Sequence, residues 1–208
     1  MSSKLKICIV DYGVGNVYSV SNALSYLGYT RLKISDKENE IKNSDVILLP
    51  GVGAFDAAMR NLKLRNLDQI LASEVIIKKK TILGICVGMQ MLATTSEENG
   101  IHEGLNWIEG TVRKLKLPEK FPVPHVGWNN VIFQNQKPLF EKNQKSSHFY
   151  FDHSYFFDCD PIYISSWCDY GINVTASIQK DNIFGVQFHP EKSQTNGLKL
   201  FRSFFNSI

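Results

Sequence analysis

The 208-residue sequence has little net charge and no apolar run long enough to cross a bilayer. Its formal net charge is +3, which argues against the extended basic surface that nucleic-acid binding requires. The best candidate for a membrane span, residues 81–95, is uncharged but shorter than the roughly 20 residues that a transmembrane helix needs. We therefore expect neither a nucleic-acid partner nor a membrane partner.

The sequence also lacks paired cysteine motifs. None of its four cysteines lies in a C-x-x-C pair, so we expect no zinc site, no other metal and no cofactor. The apolar run before Asp11 is too short for a signal peptide, and we expect a reducing cytoplasm, where a thiolate persists. Without repeats or linkers, residues 1–208 are predicted to form one domain.

Predicted strands and helices alternate along the first half of the chain. Apolar runs predict strands at 5–10, 30–34, 45–49, 81–85 and 183–188, and helical periodicity predicts helices at 16–27, 55–64, 67–80 and 191–205. Between the strands at 81–85 and 183–188, short β-rich runs lie at 107–115, 126–133, 148–157, 162–167 and 174–179, and a polar surface loop is predicted at 134–147. We predict an α/β fold, with a mostly parallel central sheet flanked by helices and an antiparallel β extension.

A nucleophile elbow is predicted around Cys86. The segment Gly84-Ile85-Cys86-Val87-Gly88 follows an apolar strand and precedes good helix formers, which is the setting of a G-x-nucleophile-x-G turn. The amino-terminal end of the following helix would favour a thiolate. The alternative is that Cys86 is a small core residue, because free cysteines are among the most buried residue types.

A candidate base lies about a hundred residues downstream. His189 follows a predicted strand and precedes Pro190, and Glu191 comes two residues later. Imidazole has a suitable pKa for activating a thiol, and a carboxylate can fix its tautomer. A structural histidine and an acid in the first turn of a helix remain the ordinary alternatives.

Together, Cys86, His189 and Glu191 resemble the catalytic set of the triad-type (class I) glutamine amidotransferases. The resemblance covers nearly the whole chain, since the early loop 48–55, with its P-G-V-G sequence, matches the oxyanion loop of that family. It implies a flavodoxin-like fold and hydrolysis of glutamine through a γ-glutamyl thioester. The oxyanion would be held by backbone N–H groups of Val87 and of Val52 or Gly53.

Within this family, the chain is similar to the glutaminase subunits of imidazole glycerol phosphate synthase. The segments that carry this similarity are 11–16 (D-Y-G-V-G-N), 50–55, 124–129 (P-H-V-G-W-N), 150–155 and 189–193. The resemblance implies a glutamine pocket formed by Gly51, Gln90, Glu98, Ser154 and Tyr155. Ordinary roles are the alternatives: a polar helix position for Gln90, a solvated charge for Glu98 and core packing for Tyr155.

The same similarity implies a heterodimer. The partner would be a (β/α)-barrel cyclase subunit, which receives ammonia and makes imidazole glycerol phosphate and AICAR in histidine biosynthesis. The implied interface residues are Asn16, Trp128, Asn129, Tyr150, His153 and Lys192; for Trp128, core packing is the alternative. Nucleotide binding at Gly13-Val14-Gly15 is not expected, because the third glycine is missing.

Two other functions stay open. Asp152 stands where these relatives carry an apolar residue, which is a hint of a paralogue that feeds ammonia to another synthase, for example in surface-sugar amidation. The other is a catalytically silent scaffold subunit, against which the intact set of Cys86, His189 and Glu191 argues.

Overall fold

The computed structural model describes residues 5–134, 138–141 and 143–208. In these residues the strands are β1 (Ile7–Val10), β2 (Leu32–Ser35), β3 (Val46–Gly51), β4 (Thr81–Cys86), β5 (Thr95–Ser96), β6 (His102–Glu103), β7 (Gly110–Lys114), β8 (His125–Phe133), β9 (Ser146–His153), β10 (Tyr155–Cys159), β11 (Ile164–Asp169), β12 (Asn173–Lys180) and β13 (Ile183–Val186). The α-helices are α1 (Val17–Tyr26), α2 (Glu38–Lys42), α3 (Phe55–Leu64), α4 (Leu67–Ala72), α5 (Val87–Gln90) and α6 (Gln194–Asn206).

A nine-stranded sheet in the order β2-β1-β3-β4-β13-β12-β11-β8-β9 forms the centre of the molecule. The pairs from β2 to β13 are parallel, and helices flank them. Strands β1 and β3 are buried along their whole length, as their continuous apolar sequences require when both faces of a sheet are covered. The predicted α/β fold is confirmed.

The antiparallel extension is also confirmed, but its strands divide between two sheets. The pairs from β13 to β9 are antiparallel, and a second sheet has the order β10-β7-β5-β6. The β-rich run predicted at 148–157 forms two strands, because the chain leaves the large sheet after His153 and enters the small one at Tyr155. At the break, the Ser154 carbonyl accepts a hydrogen bond from Leu115 N–H.

Two predicted helices are interrupted. The helix predicted at 67–80 becomes α4 and a π-helical turn at Ser73–Ile77. Within this turn, the buried Glu74 carboxylate forms ion pairs with both Lys78 and Lys80, at Nζ–oxygen distances of 2.7 and 2.8 Å. The helix predicted at 191–205 becomes a 3-10 turn at Pro190–Lys192 followed by α6. Gln194 has a φ of +49°, which a continuous helix does not allow.

The remaining boundaries differ by a few residues. Strand β7 is shorter than the predicted 107–115, β13 ends at Val186 rather than Phe188, and a 3-10 turn at Pro161–Tyr163 precedes β11. In the predicted loop 134–147, residues 135–137 and 142 lie outside the described residues, and β9 begins before its end.

The topology brings three strand ends to one edge. Gly51 at the end of β3 pairs with Cys86 at the end of β4, and β13 runs parallel to β4 on its other side. Ligand sites of parallel α/β sheets lie at this carboxyl edge. The oxyanion-loop segment, Cys86 and the segment after β13 therefore meet in space.

Candidate active site

Cys86 lies at the sharp turn between β4 and α5. Its backbone has φ +56° and ψ −114°, a sparsely populated conformation for a residue with a side chain. The residue is 3% exposed. A strained residue at a strand-to-helix turn is the geometry of a nucleophile elbow.

The glycines on either side of Cys86 provide space rather than unusual dihedral angles. A Cβ on Gly88 would lie 1.7 Å from the Leu49 carbonyl oxygen, and one on Gly84 would lie 2.6 Å from the Gly88 carbonyl oxygen. The turn therefore packs directly against the backbone of β3, which brings Cys86 beside the loop at 51–54.

His189 contacts Glu191 directly and lies beside Cys86 in the same cavity wall. Its Nδ1 lies 2.8 Å from Glu191 Oε1. The His189 and Glu191 side chains are 3% and 1% exposed, and Cys86 is also 3% exposed. The three side chains that the sequence singled out thus lie together in one buried set.

The charge state of this set follows from its contacts. Burial alone would lower the pKa of His189, but hydrogen bonds and charge interactions with Cys86 and Glu191 raise it well above its ordinary 6.5. The arrangement therefore favours an imidazolium at His189 beside Cys86. Such a pair supplies a nucleophile and a proton donor at neutral pH.

A cavity of about 280 Å³ opens over Cys86. Its walls bring together Cys86, His189 and two predicted groups of residues, namely Val52, Gly53 and Val87 of the oxyanion group and Gln90, Glu98, Ser154 and Tyr155 of the glutamine pocket. The other lining residues are Pro124, Asp152 and His153. Gly51 and Glu191 lie behind the wall, one paired with Cys86 in the sheet and the other bonded to His189.

Two lining side chains have specific partners. Glu98 Oε2 accepts a 2.8 Å hydrogen bond from Phe55 N–H, which ties it to the end of the loop 51–54. Gln90 is buried, and its Nε2 lies 2.9 Å from both the Tyr155 carbonyl oxygen and Gln187 Oε1. Glu98 is therefore not a freely solvated charge, and Gln90 is a polar residue of helix α5 whose side chain is buried and bonded.

Comparisons with known proteins agree with this geometry. The sequence profile for "Glutamine amidotransferase class-I" matches residues 8–208. The chain is 44% identical to the imidazole glycerol phosphate synthase subunit HisH 2 of Vibrio vulnificus, over 98% of this chain and 95% of that protein. It is 43% identical to the HisH 2 subunit of Pseudomonas aeruginosa, over 97% of this chain and all of that protein.

The chain belongs to the class-I glutamine amidotransferases. It is thereby an enzyme that hydrolyses glutamine. In fold it is similar to a putative GMP synthase subunit from Thermoplasma acidophilum, with a TM-score of 0.71 at 22% identity, over 97% of this chain and 92% of that one.

One exposed surface of this amidotransferase carries three of the predicted interface residues. Trp128 on β8 is 46% exposed and packs edge-on against Tyr150, its partner on the edge strand β9, with ring centroids 6.3 Å apart. Lys192 Nζ lies 5.5 Å from the centre of the Tyr150 ring and 4.0 Å from Asp152 Oδ2. We call Trp128, Tyr150, Lys192 and Asp152 the aromatic–lysine patch.

The other predicted interface residues lie elsewhere in the amidotransferase. Asn129 points to the opposite side of the sheet from Trp128, as strand alternation requires, and its Nδ2 donates to the Asp169 carbonyl at 3.0 Å. His153 is 6% exposed and lies on the cavity wall. Asn16 precedes α1, in a loop that packs against the end of β3, where a Cβ on Gly15 would lie 3.0 Å from the Pro50 carbonyl oxygen.

Sequence reasoning missed two polar side chains of the amidotransferase site. Buried Ser193 accepts a hydrogen bond from Tyr150 N–H at 3.0 Å and donates one to the His189 carbonyl at 2.6 Å, so it connects β9 to the base. Buried Gln187 donates its Nε2 to Cys86 Sγ at 3.8 Å. Only their positions beside His189 could have indicated them.

Metal-ligand clusters and membrane-spanning helices are both missing from the described parts of the chain. Residues 5–134, 138–141 and 143–208 contain no cluster of three or more histidine, cysteine or acidic side chains that could hold a metal ion. Within the same ranges, none of the helices combines the length and apolar character of a membrane span.

Proposed function

We propose that this protein is the glutaminase subunit of an imidazole glycerol phosphate synthase, and that it delivers ammonia to a cyclase subunit in histidine biosynthesis. The observation that carries the proposal is the buried set of Cys86, His189 and Glu191 that lies together at one cavity. Relatives that are 43–44% identical over 95–100% of their length bear the name of this synthase subunit.

The reaction begins when the Cys86 thiolate attacks the side-chain carboxamide carbon of glutamine. The oxyanion that forms accepts hydrogen bonds from Val87 N–H and, after the loop adjusts, from the N–H of Val52 or Gly53. The His189 imidazolium gives its proton to the leaving nitrogen, ammonia departs and a γ-glutamyl thioester remains. Water then attacks the thioester while His189 takes its proton, which releases glutamate and restores the thiolate. Glu191 holds His189 in the correct tautomer throughout.

The remaining cavity residues suit the amino-acid end of glutamine. Glu98 suits the α-ammonium group by charge, the backbone near Ser154 suits the α-carboxylate, and Gln90 and Tyr155 complete the wall together with Gly51 behind it. A carboxylate that is also bonded to Phe55 N–H would connect substrate binding to the loop 51–54.

The aromatic–lysine patch is the proposed docking surface for a (β/α)-barrel partner. Tryptophan and tyrosine are enriched among the residues that dominate binding at interfaces, and β9 is an edge strand of the large sheet. Asn16 would extend the contact, and Asn129 and His153 would support it from within. Docking at the cytoplasmic cyclase would let ammonia pass without protonation in bulk water.

Ligand bound to the partner is proposed to tighten the loop 51–54 and so raise the glutaminase rate. The N-terminal loop 11–16 lies against this loop, so a contact at Asn16 can bias its conformation. Equal glutaminase rates with and without a liganded partner would contradict this coupling.

A second candidate is a paralogous subunit that feeds ammonia to a different synthase. Asp152 favours it, because this exposed carboxylate changes the charge that a partner would meet beside Lys192. A purified chain that binds no histidine-pathway cyclase, yet releases glutamate through Cys86, would support this candidate.

The chemistry is tested by trapping the nucleophile. A glutamine analogue with a chloroketone in place of its carboxamide should label Cys86 alone, as located by mass spectrometry of tryptic peptides. Excess glutamine should protect Cys86 from this labelling, whereas glutamine analogues that lack the α-ammonium group should not. Absence of Cys86 labelling would revive the interpretation of the chain as a silent scaffold.

A further inference from the structure

Gln187 is a fully buried amide that the proposed mechanism does not use. It lies between the end of β13 and His189, and its side chain bridges two residues of the site. Its Oε1 accepts from Gln90 Nε2 at 2.9 Å, and its Nε2 donates to Cys86 Sγ at 3.8 Å. A polar side chain in such a place is costly unless both ends have partners.

The hydrogen-bond network fixes which end of Gln187 faces the sulfur. The Tyr155 carbonyl oxygen only accepts, so the Gln90 atom 2.9 Å from it must be the amide nitrogen. That nitrogen donates its second hydrogen to Gln187, so the Gln187 atom facing it must be the oxygen. The Gln187 nitrogen is therefore left facing Cys86 Sγ, and a flipped amide would place two donors against each other.

The sulfur meets a competing group on its other side. The Asp152 carbonyl oxygen lies 4.0 Å from Cys86 Sγ, where it can accept a hydrogen bond from the thiol. A carbonyl facing the sulfur favours the protonated thiol, whereas an N–H facing it favours the thiolate. Gln187 is thus the neutral group that opposes the Asp152 carbonyl.

We propose that the Gln187 carboxamide is a positioning residue that holds Cys86 as a thiolate aimed into the cavity, with its own orientation fixed through Gln90 by the Tyr155 carbonyl. The inference rests on the proposed function in one respect, that Cys86 is the nucleophile. It adds a donor to the sulfur that is independent of His189.

The same directional order continues into the sheet. The Tyr155 carbonyl also accepts from His153 Nδ1 at 2.8 Å, so His153 Nε2 is an acceptor, and it lies 3.0 Å from His125 Nδ1. His125 Nε2 in turn faces Asn129 Nδ2 at 3.3 Å. Burial lowers the pKa of His153 to about 3 and that of His125 to about 4, so both rings are neutral, as this order requires.

Other groups also face Cys86, and any test must distinguish their effects on the sulfur from the effect of Gln187. His189 lies beside Cys86 in the cavity wall, on the segment after β13, and its Nδ1 is bonded to Glu191. Tyr12, at the end of β1, interacts with Cys86, and burial raises the pKa of its hydroxyl so that it stays neutral. Asp152 contributes its backbone carbonyl from β9. Substitutions at Gln187 leave all four in place.

Two variants of the full chain test the role of the amide. Gln187→Met keeps the length of the side chain but removes the donor and the acceptor. Gln187→Glu keeps an oxygen for the Gln90 amide and places its other oxygen against Cys86. Gln179→Met on β12 is the matched control, since Gln179 is partly buried and lies outside the cavity wall.

The readout is the rate of Cys86 alkylation by iodoacetamide as a function of pH. The Cys86→Ala chain gives the alkylation rate of the other thiols, which is subtracted. For Gln187→Met and Gln187→Glu we expect the rate to reach half of its plateau at a higher pH. At pH 7 the rate should fall about tenfold, the size of one lost hydrogen bond to a charged group. In glutaminase assays kcat should fall with little change in KM, and Gln179→Met should match the wild type.

An unchanged pH profile in either folded variant, as judged by near-UV circular dichroism, would overturn the proposal. If Gln187→Met fails to fold, Gln187→Glu alone decides the result, because it preserves the bond to Gln90. Failure of the proposed function would give a different result. The wild-type chain would then release no glutamate, either alone or with a partner, whatever the alkylation profiles show.

Discussion

Gly88 lies so close to β3 that a Cβ at this position would be 1.7 Å from the Leu49 carbonyl oxygen. This approach fixes the turn at Cys86 against β3, the strand that leads into the loop 51–54. A methyl group cannot be accommodated there by a side-chain movement, because the obstacle is backbone.

Gly88→Ala should therefore destabilise the protein by about 3 kcal/mol or more, at the upper end of overpacking costs. Urea unfolding at pH 7 measures this change. Gly28→Ala is the control, because Gly28 has a φ of +88° but no neighbour within 4 Å, so its expected cost is only about 1–2 kcal/mol of backbone strain. Equal losses in the two variants would contradict the packing argument.

Ser193→Ala should reduce both activity and stability. The substitution leaves the Tyr150 N–H and the His189 carbonyl without their shared hydroxyl, which costs about 1–3 kcal/mol for buried groups and loosens His189. We expect a lower kcat in glutaminase assays and a lower free energy of unfolding. Ser207→Ala is the matched control, since the Ser207 hydroxyl bonds only within the exposed end of α6. A wild-type kcat for Ser193→Ala would refute the role.

The buried pair His125 and His153 should make the protein sensitive to mild acid. Their pKa values in the folded state, about 4 and about 3, lie below the ordinary 6.5, so the unfolded chain binds more protons as the pH falls below 6.5. The free energy of unfolding should then decrease by up to about 1.4 kcal/mol per pH unit for each histidine down to pH 4.

His125→Phe tests this linkage, because it keeps a ring stacked between Phe151 and Tyr170. Urea unfolding at pH 7, 6 and 5 should show a shallower loss of stability for the variant than for the wild type. His148→Phe, at an exposed position on β9, serves as the control. Parallel curves for wild type and His125→Phe would show that the buried histidine does not contribute.

Trp128→Ala should weaken partner binding without changing the site. Trp128 lies on the aromatic–lysine patch and does not line the cavity. Isothermal titration with the cyclase should show a dissociation constant raised at least about thirtyfold, as for a hot-spot residue, with unchanged basal glutaminase rate. Tyr26→Ala, at the exposed carboxyl end of α1, should bind as the wild type does. Equal affinities for both variants would show that the aromatic–lysine patch is not part of the partner interface.

The sharp turn at Cys86 and the grouping of Cys86, His189 and Glu191 could be predicted because these residue types are rare in such a setting, but the reasons for the pattern could not. The sequence suggested that the glycines permit a tight turn. In the structure, the residue with a positive φ is Cys86, and the absence of side chains at the glycines lets the backbone of β3 pack closely against the turn. Good helix formers follow Cys86, yet α5 ends at Gln90. There the Leu92 carbonyl bonds to Trp107 and Ile108, so a tertiary contact overrides helix propensity.

The polar network behind the site depends on contacts between residues far apart in the chain. Gln187 and Gln90 are 97 residues apart, and His125 and His153 are 28 apart, so no local pattern relates them. Strand alternation does explain why Trp128 and Asn129 face opposite sides, but the strand register had to be known first.

Glutamate release is the most direct test of the account. The purified chain would be assayed with glutamine alone and with the histidine-pathway cyclase plus its nucleotide ligand, and Cys86→Ala would be run in parallel. The account predicts a rate that rises strongly with the liganded partner and disappears in Cys86→Ala. A rate that ignores the partner, or that survives the loss of Cys86, would contradict it.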